Sequence, residues 1–340
     1  MAEMQTEAPH PRSATMQDVA DKVNVSRALV SMAFRGLKGV SPETREAIFE
    51  AAKELGYRHN AMAARLAAGR TNTVGLFLLD IHNEVFADIF TGLRTQEESM
   101  GSKVVLAVGN PAAKTELEEI NNLLNVRVEA LILAGSLLPD KAIIDIARAV
   151  PTVAVTRLVP GVRSVAIDDR RGAQLAVEHL IGLGHKRIAY IAPPTGMLYK
   201  DRETGYRSVL EREGLAAQLV VGAFEYDESI EIARTVLINE SDRPTAIFAN
   251  NDLAAFAVLE AAARLGISVP DQLSVIGFDD TRMAAIPGVQ LTTVSQQAVR
   301  QGEVAAELAT EGVQDGSEIP RHVLLEPSLI VRKSTATVPS

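Results

Sequence analysis

The chain has no cysteine and no tryptophan, and aromatic residues make up only 4% of its 340 positions. Without cysteine there is neither a disulfide framework nor a thiolate metal site, and such a composition suits a reducing cytoplasm. Long hydrophobic runs are missing too. The longest, Val74 to Leu79 and Leu131 to Ala134, fall far short of the roughly 20 apolar residues a membrane-spanning helix needs and read as buried strands. The first fourteen residues carry Glu3, Glu7 and two prolines with no continuous apolar stretch, so a disordered tail is expected there rather than a secretory signal.

Catalytic signatures are absent as well. Six scattered histidines form no HxxxH or HxH, and no GxGxxG or GxxxxGK[ST] loop occurs. Asp279 and Asp280 adjoin in one loop, and such neighbours seldom converge on one reacting centre. No enzyme, metal or cofactor is expected. The net charge of −9 argues against a protein that is basic throughout, yet it hides an asymmetry. Residues 11–70 hold ten Lys/Arg against six Asp/Glu, so a locally positive segment precedes an acidic remainder. Such a layout suits a phosphate-binding head on a soluble, self-repelling body.

Within that segment three short helices are predicted. Val19, Ala20 and Val23 share a face of the first, which Asn24-Val25 interrupts; asparagine tolerates the left-handed backbone of a tight turn. Ser26 is a good N-cap for the second helix, in which Val30, Ala33 and Phe34 share a face while Arg27, Ala28, Ser31 and Met32 point elsewhere. Gly36 marks its end. Ser41, Pro42 and Glu43 open a third helix running to Leu55, and its Ile48, Ala51, Ala52 and Leu55 close a small core. A helix with an apolar back and an Arg/Ser front can lie in a major groove.

The string DVA…VS…VS followed by VSPETREAIFEAAKELGYRHNAMAARLA resembles the DNA-binding headpiece of the lactose/galactose repressor (LacI/GalR) family over about 55 positions. The resemblance implies that Arg27, Ala28 and Ser31 meet base edges, and that Val19, Ser26 and Asn60 pack or meet phosphate. It also implies that Asn60 to Ala68 is a hinge helix that folds on operator DNA and wedges Leu66 into the minor groove. An Ala-rich octapeptide is too short to hold a helix alone, which agrees with folding on a partner. Arg65 and Arg70 are expected phosphate partners. Asn24, Leu29 and Met32 depart from the family's usual glycine, threonine and arginine, so base preference is expected to lean on Arg27 and Arg35.

Beyond Thr71 apolar strands and amphipathic helices alternate. Strands are predicted at 74–79, 104–108, 129–134, 152–155, 187–192, 218–222, 245–249 and 273–277, with helices in most gaps, a pattern that demands parallel, doubly wound sheets. Two lobes are expected, breaking near Thr156 to Val162. PTVAVTR, GLGHKRIAYIA, PTAIFANND, SVIGFDD and LTTVSQ resemble the family's periplasmic-binding-protein-like core. The full expectation is an α/β protein: a tail at 1–14, a helix-turn-helix domain at 15–59, a hinge and linker at 60–70, a sensor and dimerisation domain at 71–333 and a tail at 334–340. Lobe one would span about 71–158 plus 291–320, and lobe two about 162–288 plus 321–333, with HVLLEPSLIVRKS as a closing hairpin.

In such two-lobed domains ligands bind outside the carboxyl ends of the strands. Asp80, Asn83, Arg157, Asn251 and Asp279 follow strands, and Arg202 opens a later helix. The resemblance places Arg202, Asn251 and Asp279 at effector-contacting positions, with Phe86 and Phe224 as candidates for an apolar wall. Carboxylates, amides and a guanidinium can make paired hydrogen bonds to vicinal hydroxyls, so a sugar or polyol effector is expected. The family commonly has an aspartate where Thr156 stands. His185 reads as structural. A pseudo-palindromic operator and a homodimer are the expected partners. A purine-like corepressor, an activator or a transport-type solute-binding protein are the alternatives, the last disfavoured by the headpiece.

Overall fold

The computed structural model describes residues 14–34, 37–57, 72–99, 102–110, 115–193, 200–223, 225–315 and 321–338. The chain divides into two compact units, Met1–Thr71 and Asn72–Ser340. The first contains helices α1 (Met16–Val23), α2 (Arg27–Phe34) and α3 (Pro42–Glu54). Thr15 and Asp18 cap α1 reciprocally, the Thr15 hydroxyl accepting the Asp18 N–H and the Asp18 carboxylate accepting the Thr15 N–H. Asn24 ends α1 at φ 56°, the left-handed conformation its side chain tolerates. The Ser26 hydroxyl then accepts the Leu29 N–H at 3.1 Å, opening α2. Val19, Ala20, Val30, Ala33, Ile48, Ala51 and Ala52 form the core. Arg45 in α3 donates to the carbonyls of Ala33 and Leu37, tying the end of α2 to α3.

The second unit holds two six-stranded sheets. The first sheet comprises β1 (Thr73–Leu78), β2 (Lys103–Val108), β3 (Ala130–Ala134), β4 (Thr152–Val155), β5 (Arg163–Ile167) and β11 (His322–Leu325), in the order β11-β5-β4-β3-β1-β2 and parallel throughout. The second comprises β6 (Ile188–Ala192), β7 (Gln218–Val221), β8 (Ala246–Ala249), β9 (Ser274–Asp279), β10 (Thr292–Ser295) and β12 (Ser328–Ile330), in the order β12-β10-β9-β8-β6-β7. It is parallel apart from β12, which runs antiparallel to β10. Nearly every residue of β1, β3, β4, β6, β8 and β9 is buried, as strands covered by helices on both faces require. The connecting helices are α4 (Glu84–Ser99), α5 (Glu116–Asn125), α6 (Asp140–Ala147), α7 (Asp169–Gly182), α8 (Lys200–Arg212), α9 (Tyr226–Leu237), α10 (Asp252–Arg264), α11 (Arg282–Ala285) and α12 (Ala298–Asp315).

The lobe divisions differ from the sequence expectation in three places. The chain crosses after β5 rather than near Thr156 to Val162, because Val165 to Ile167 are buried in the first sheet beside β4 and β11. It returns after β10, a strand of the second sheet, so residues 291–295 belong to lobe two and α12 to lobe one, where Val304, Ala305, Ala306, Leu308 and Ala309 join the first core. HVLLEPSLIV is not a hairpin: β11 pairs with β5 and β12 with β10, with Glu326-Pro327 carrying the chain between sheets. Nor are residues 334–338 a free tail. Ser334 donates to the Val275 carbonyl at 2.6 Å, the Ala336 N–H donates to Ser274, and the Val338 N–H to the Leu183 carbonyl.

Candidate functional site

Both sheets have the order 2-1-3-4-5 in their first five strands, so each reverses direction once: at β1/β3 in lobe one and at β6/β8 in lobe two. Helices leave to opposite faces at such a switch point and open a crevice at the carboxyl ends. One cavity collects those ends from both lobes. Leu79 and Asp80 follow β1, Leu137 follows β3 and Thr156 follows β4; Ile191 to Pro193 close β6, Asn250 and Asn251 follow β8, Asp279 ends β9 and Gln296 follows β10. Thr156, at φ 75°, and Asp279, at φ 131°, both hold backbones that non-glycine residues rarely adopt, and such strain is retained where a site fixes it.

Arg202 sits at the centre of the polar network and is buried. Its Nε donates to Asp169 Oδ1 at 2.7 Å and an Nη to the Asn250 carbonyl at 2.6 Å, while its guanidinium lies 3.7 Å from the Phe278 ring centroid. Gly205 permits this reach: a Cβ there would stand 2.3 Å from the Arg170 carbonyl, so only glycine lets α8 lie so close to α7. Burial pushes the Asp169 and Asp279 carboxyls above the ordinary range, with Arg202 pulling both back down. Asp279 accepts a hydrogen bond from Gln296 Nε2. Its neighbour Asp280 accepts from Arg332 at 2.6 Å, so the adjacent pair serves two different partners.

Asp80, Asn83, Phe86, Arg202, Asn251 and Asp279 all line this cavity. Three of them also shape local backbone. Asp80 accepts the His82 N–H, Asn83 the Val85 N–H, and Asn251 caps α10 through the Ala254 N–H at 2.8 Å. Arg157 is not among the lining residues. Its guanidinium donates to the carbonyls of Ser136 and Leu138 and pairs with Asp140, bracing the loop that carries Leu137 into the cavity. Phe224 lies outside the described residues. Asn250, Tyr226, Ser229 and Gln296 line the cavity without having been anticipated, and so does Thr156, noted in the sequence only as a departure from the family's aspartate. Thr156 and Asn250 directly follow predicted strands, so applying the carboxyl-end rule to each of those would have found them; Gln296 follows β10, which the apolar pattern did not mark as a strand. His185 is buried and accounted for: its ring nitrogens meet Thr245, Ser274 and the Ala336 carbonyl at 2.9–3.0 Å.

In the headpiece Ser26, Arg27 and Ala28 are exposed at the start of α2, and Ser31 is half-buried one turn on. Arg35, Asn60, Arg65 and Leu66 lie outside the described residues.

Residues 15–60 match the lacI family of bacterial regulatory proteins, and residues 177–335 match a periplasmic binding protein-like domain. Catabolite control protein A of Priestia megaterium is 32% identical over 334 residues, covering 95% of this chain and 99% of its own. The chain belongs to the lacI family. As a lacI-family regulator it is a DNA-binding transcription factor. The same architecture recurs in a lac repressor dimer bound to operator and the anti-inducer ONPF, at a TM-score of 0.80, 27% identity and coverage of 96% of this chain and 100% of that one. A CelR–cellobiose complex superposes at a TM-score of 0.69 with 31% identity, covering 94% of this chain and 99% of its own. Among the described residues no helix is long and apolar enough to cross a membrane, and no group of His, Cys, Asp or Glu could hold a metal ion.

Proposed function

We infer that this regulator is a cytoplasmic, dimeric repressor whose affinity for a pseudo-palindromic operator is set by a sugar or polyol bound between its sensor lobes. The observation that carries this reading is the cavity itself. Carboxylates (Asp80, Asp279), amides (Asn83, Asn251, Gln296) and a guanidinium (Arg202) line it beside the apolar ring of Phe86. That mixture of acceptors and donors fits a ring of hydroxyls, each able to donate and accept. The cellobiose held by the CelR relative supports the ligand class, and the operator held by the lac repressor dimer supports the partner.

On the DNA side Arg27, Ala28 and Ser31 would read base edges with help from Arg35, and Ser26, Asn60 and Arg65 would meet phosphates. Leu66 would wedge into the minor groove, as the family resemblance implies. Unstacking a base step costs a few kcal/mol, which contacts with the bent duplex offset. An effector that favours one lobe arrangement controls whether the two hinge segments of a dimer can fold together on DNA.

Calorimetric titration of the purified chain with D-ribose, D-galactose, cellobiose, glycerol and hypoxanthine tests the ligand class, followed by operator titration with and without each binder. Saturable binding of a sugar or polyol that changes operator affinity is expected. Binding of hypoxanthine alone would replace the sugar reading with that of a purine corepressor.

A further inference from the structure

Among the described residues, Asp279 is the cavity carboxylate whose supports can be followed out of its own lobe. Gln296 Nε2 donates to Asp279 Oδ1, and Gln301 Nε2 in turn donates to both the side-chain oxygen of Gln296, at 3.2 Å, and its carbonyl, at 2.8 Å. Asp279, Gln296 and Gln301 are all buried. The donors point one way along this chain, so each amide polarises the next toward the carboxylate.

The far end of the chain is rigid. Gln301 lies in the first turn of α12, and the next residue, Gly302, packs against α4 so closely that a Cβ there would stand 2.0 Å from the Ile89 carbonyl. A Cβ on Gly92 of α4 would likewise stand 2.0 Å from the Val299 carbonyl of α12. Gln301 Oε1 is buried without a hydrogen-bond partner. A buried acceptor without a partner is unfavourable, so the glutamine here carries a penalty that an apolar residue would avoid.

We propose that Gln296 and Gln301 are positioning residues of the effector site, a two-amide relay that fixes the Asp279 carboxylate in lobe two to the α4–α12 helix pair of lobe one. This rests on the reading that Asp279 faces the effector. A hydroxyl of the ligand that bonds Asp279 then acts on a group whose other oxygen is held from the opposite lobe. Ligand occupancy and lobe arrangement thereby share one hydrogen-bonded element.

The test needs only protons as the probe. In the full-length protein carrying ¹³C-labelled aspartate carboxyls, Asp279 is assigned with Asp279→Asn and titrated by NMR. The charged groups acting on it are Arg202 of α8, Asp252 at the start of α10 and Asp169 of α7, and all three are retained in the variants. Gln296→Met removes a donor to the carboxylate and is expected to raise its proton affinity about tenfold. Gln301→Met, which keeps the buried volume, is expected to raise it about twofold and to add nothing in the double variant, because it acts only through Gln296. Gln301→Asn, which shortens the reach, replaces it if the methionine variant does not fold. An unchanged midpoint in the Gln301 variants, or additive shifts in the double variant, overturns the relay. The titration contains no sugar, so a ligand screen without hits leaves its result standing, and its failure leaves sugar binding untouched.

Discussion

At the scale of single residues, buried charge does two kinds of work in this sensor. Arg202 lines the cavity, yet it is also the partner of Asp169, whose side chain is only 11% exposed. Removing one member of a buried pair leaves the other unpaired, at about 3–5 kcal/mol. Arg202→Ala is therefore expected to abolish the effector response and also to destabilise the sensor by about that amount, read by urea unfolding. A variant with native stability would show that Asp169 does not depend on it. Asp252 is wholly structural: its carboxylate accepts from the Thr281 N–H at 2.8 Å and from the Thr281 and Thr293 hydroxyls, joining α10 to the ends of β9 and β10. Burial raises its pKa to about 6. Because the folded state holds that proton more tightly than the unfolded chain, ionisation costs stability as pH rises from about 4 through about 6. Asp252→Asn cannot ionise, so its stability relative to the native protein should shift in favour of asparagine between pH 4.5 and 7. A constant difference across that range would sink the assignment. Sequence reasoning named six of the residues that line the cavity: Asp80, Asn83, Asn251 and Asp279 because strand ends are legible in apolar runs, Arg202 through the family resemblance and Phe86 as a candidate apolar wall. It could not see that Arg157 turns away to brace the loop after β3, since the carbonyls of Ser136 and Leu138 are common to every sequence.

At the scale of elements, the helices and most strands follow from apolar periodicity and caps: Ser26, Ser41, Asp168 and Asn251 each accept an N–H three residues on, as their side chains favour. Lobe membership was less legible. β5, β10, β11 and β12 have three to five residues each, and a run that short carries no mark of the sheet it joins. What fixes membership is tertiary: β5 is hydrogen-bonded between β4 and β11, and β10 between β9 and β12. The α4–α12 pair has a sequence signal, Gly92 and Gly302, that periodicity ignores. Gly302→Ala must separate two backbones now in contact, and overpacking of this kind costs about 1–3 kcal/mol. The expected result is a lower thermal midpoint for the sensor, by about 2–4 °C per kcal/mol in a domain of this size. An unaltered midpoint would mean that the helices can part freely, and that lobe one lacks the stiff anchor assigned to it.

At the scale of the whole molecule, the charge asymmetry and the two-unit division separate the tasks: a positive head for the phosphate backbone and an acidic body that repels it. Function then depends on coupling rather than on either unit alone. If an effector lowers operator affinity by some factor, thermodynamic linkage requires operator DNA to lower effector affinity by the same factor, whatever structural route joins the sites. Typical coupling of about 1–3 kcal/mol corresponds to about 5–150-fold, well within the range of paired titrations. The measurement is effector affinity by calorimetry with and without saturating operator, set beside operator affinity with and without saturating effector, at one salt concentration because phosphate contacts make DNA binding steeply salt-dependent. Equal factors are expected. A ligand that binds the cleft with the same affinity in the presence and absence of operator has no differential interaction with the two states, and such a ligand is not the effector that governs this regulator.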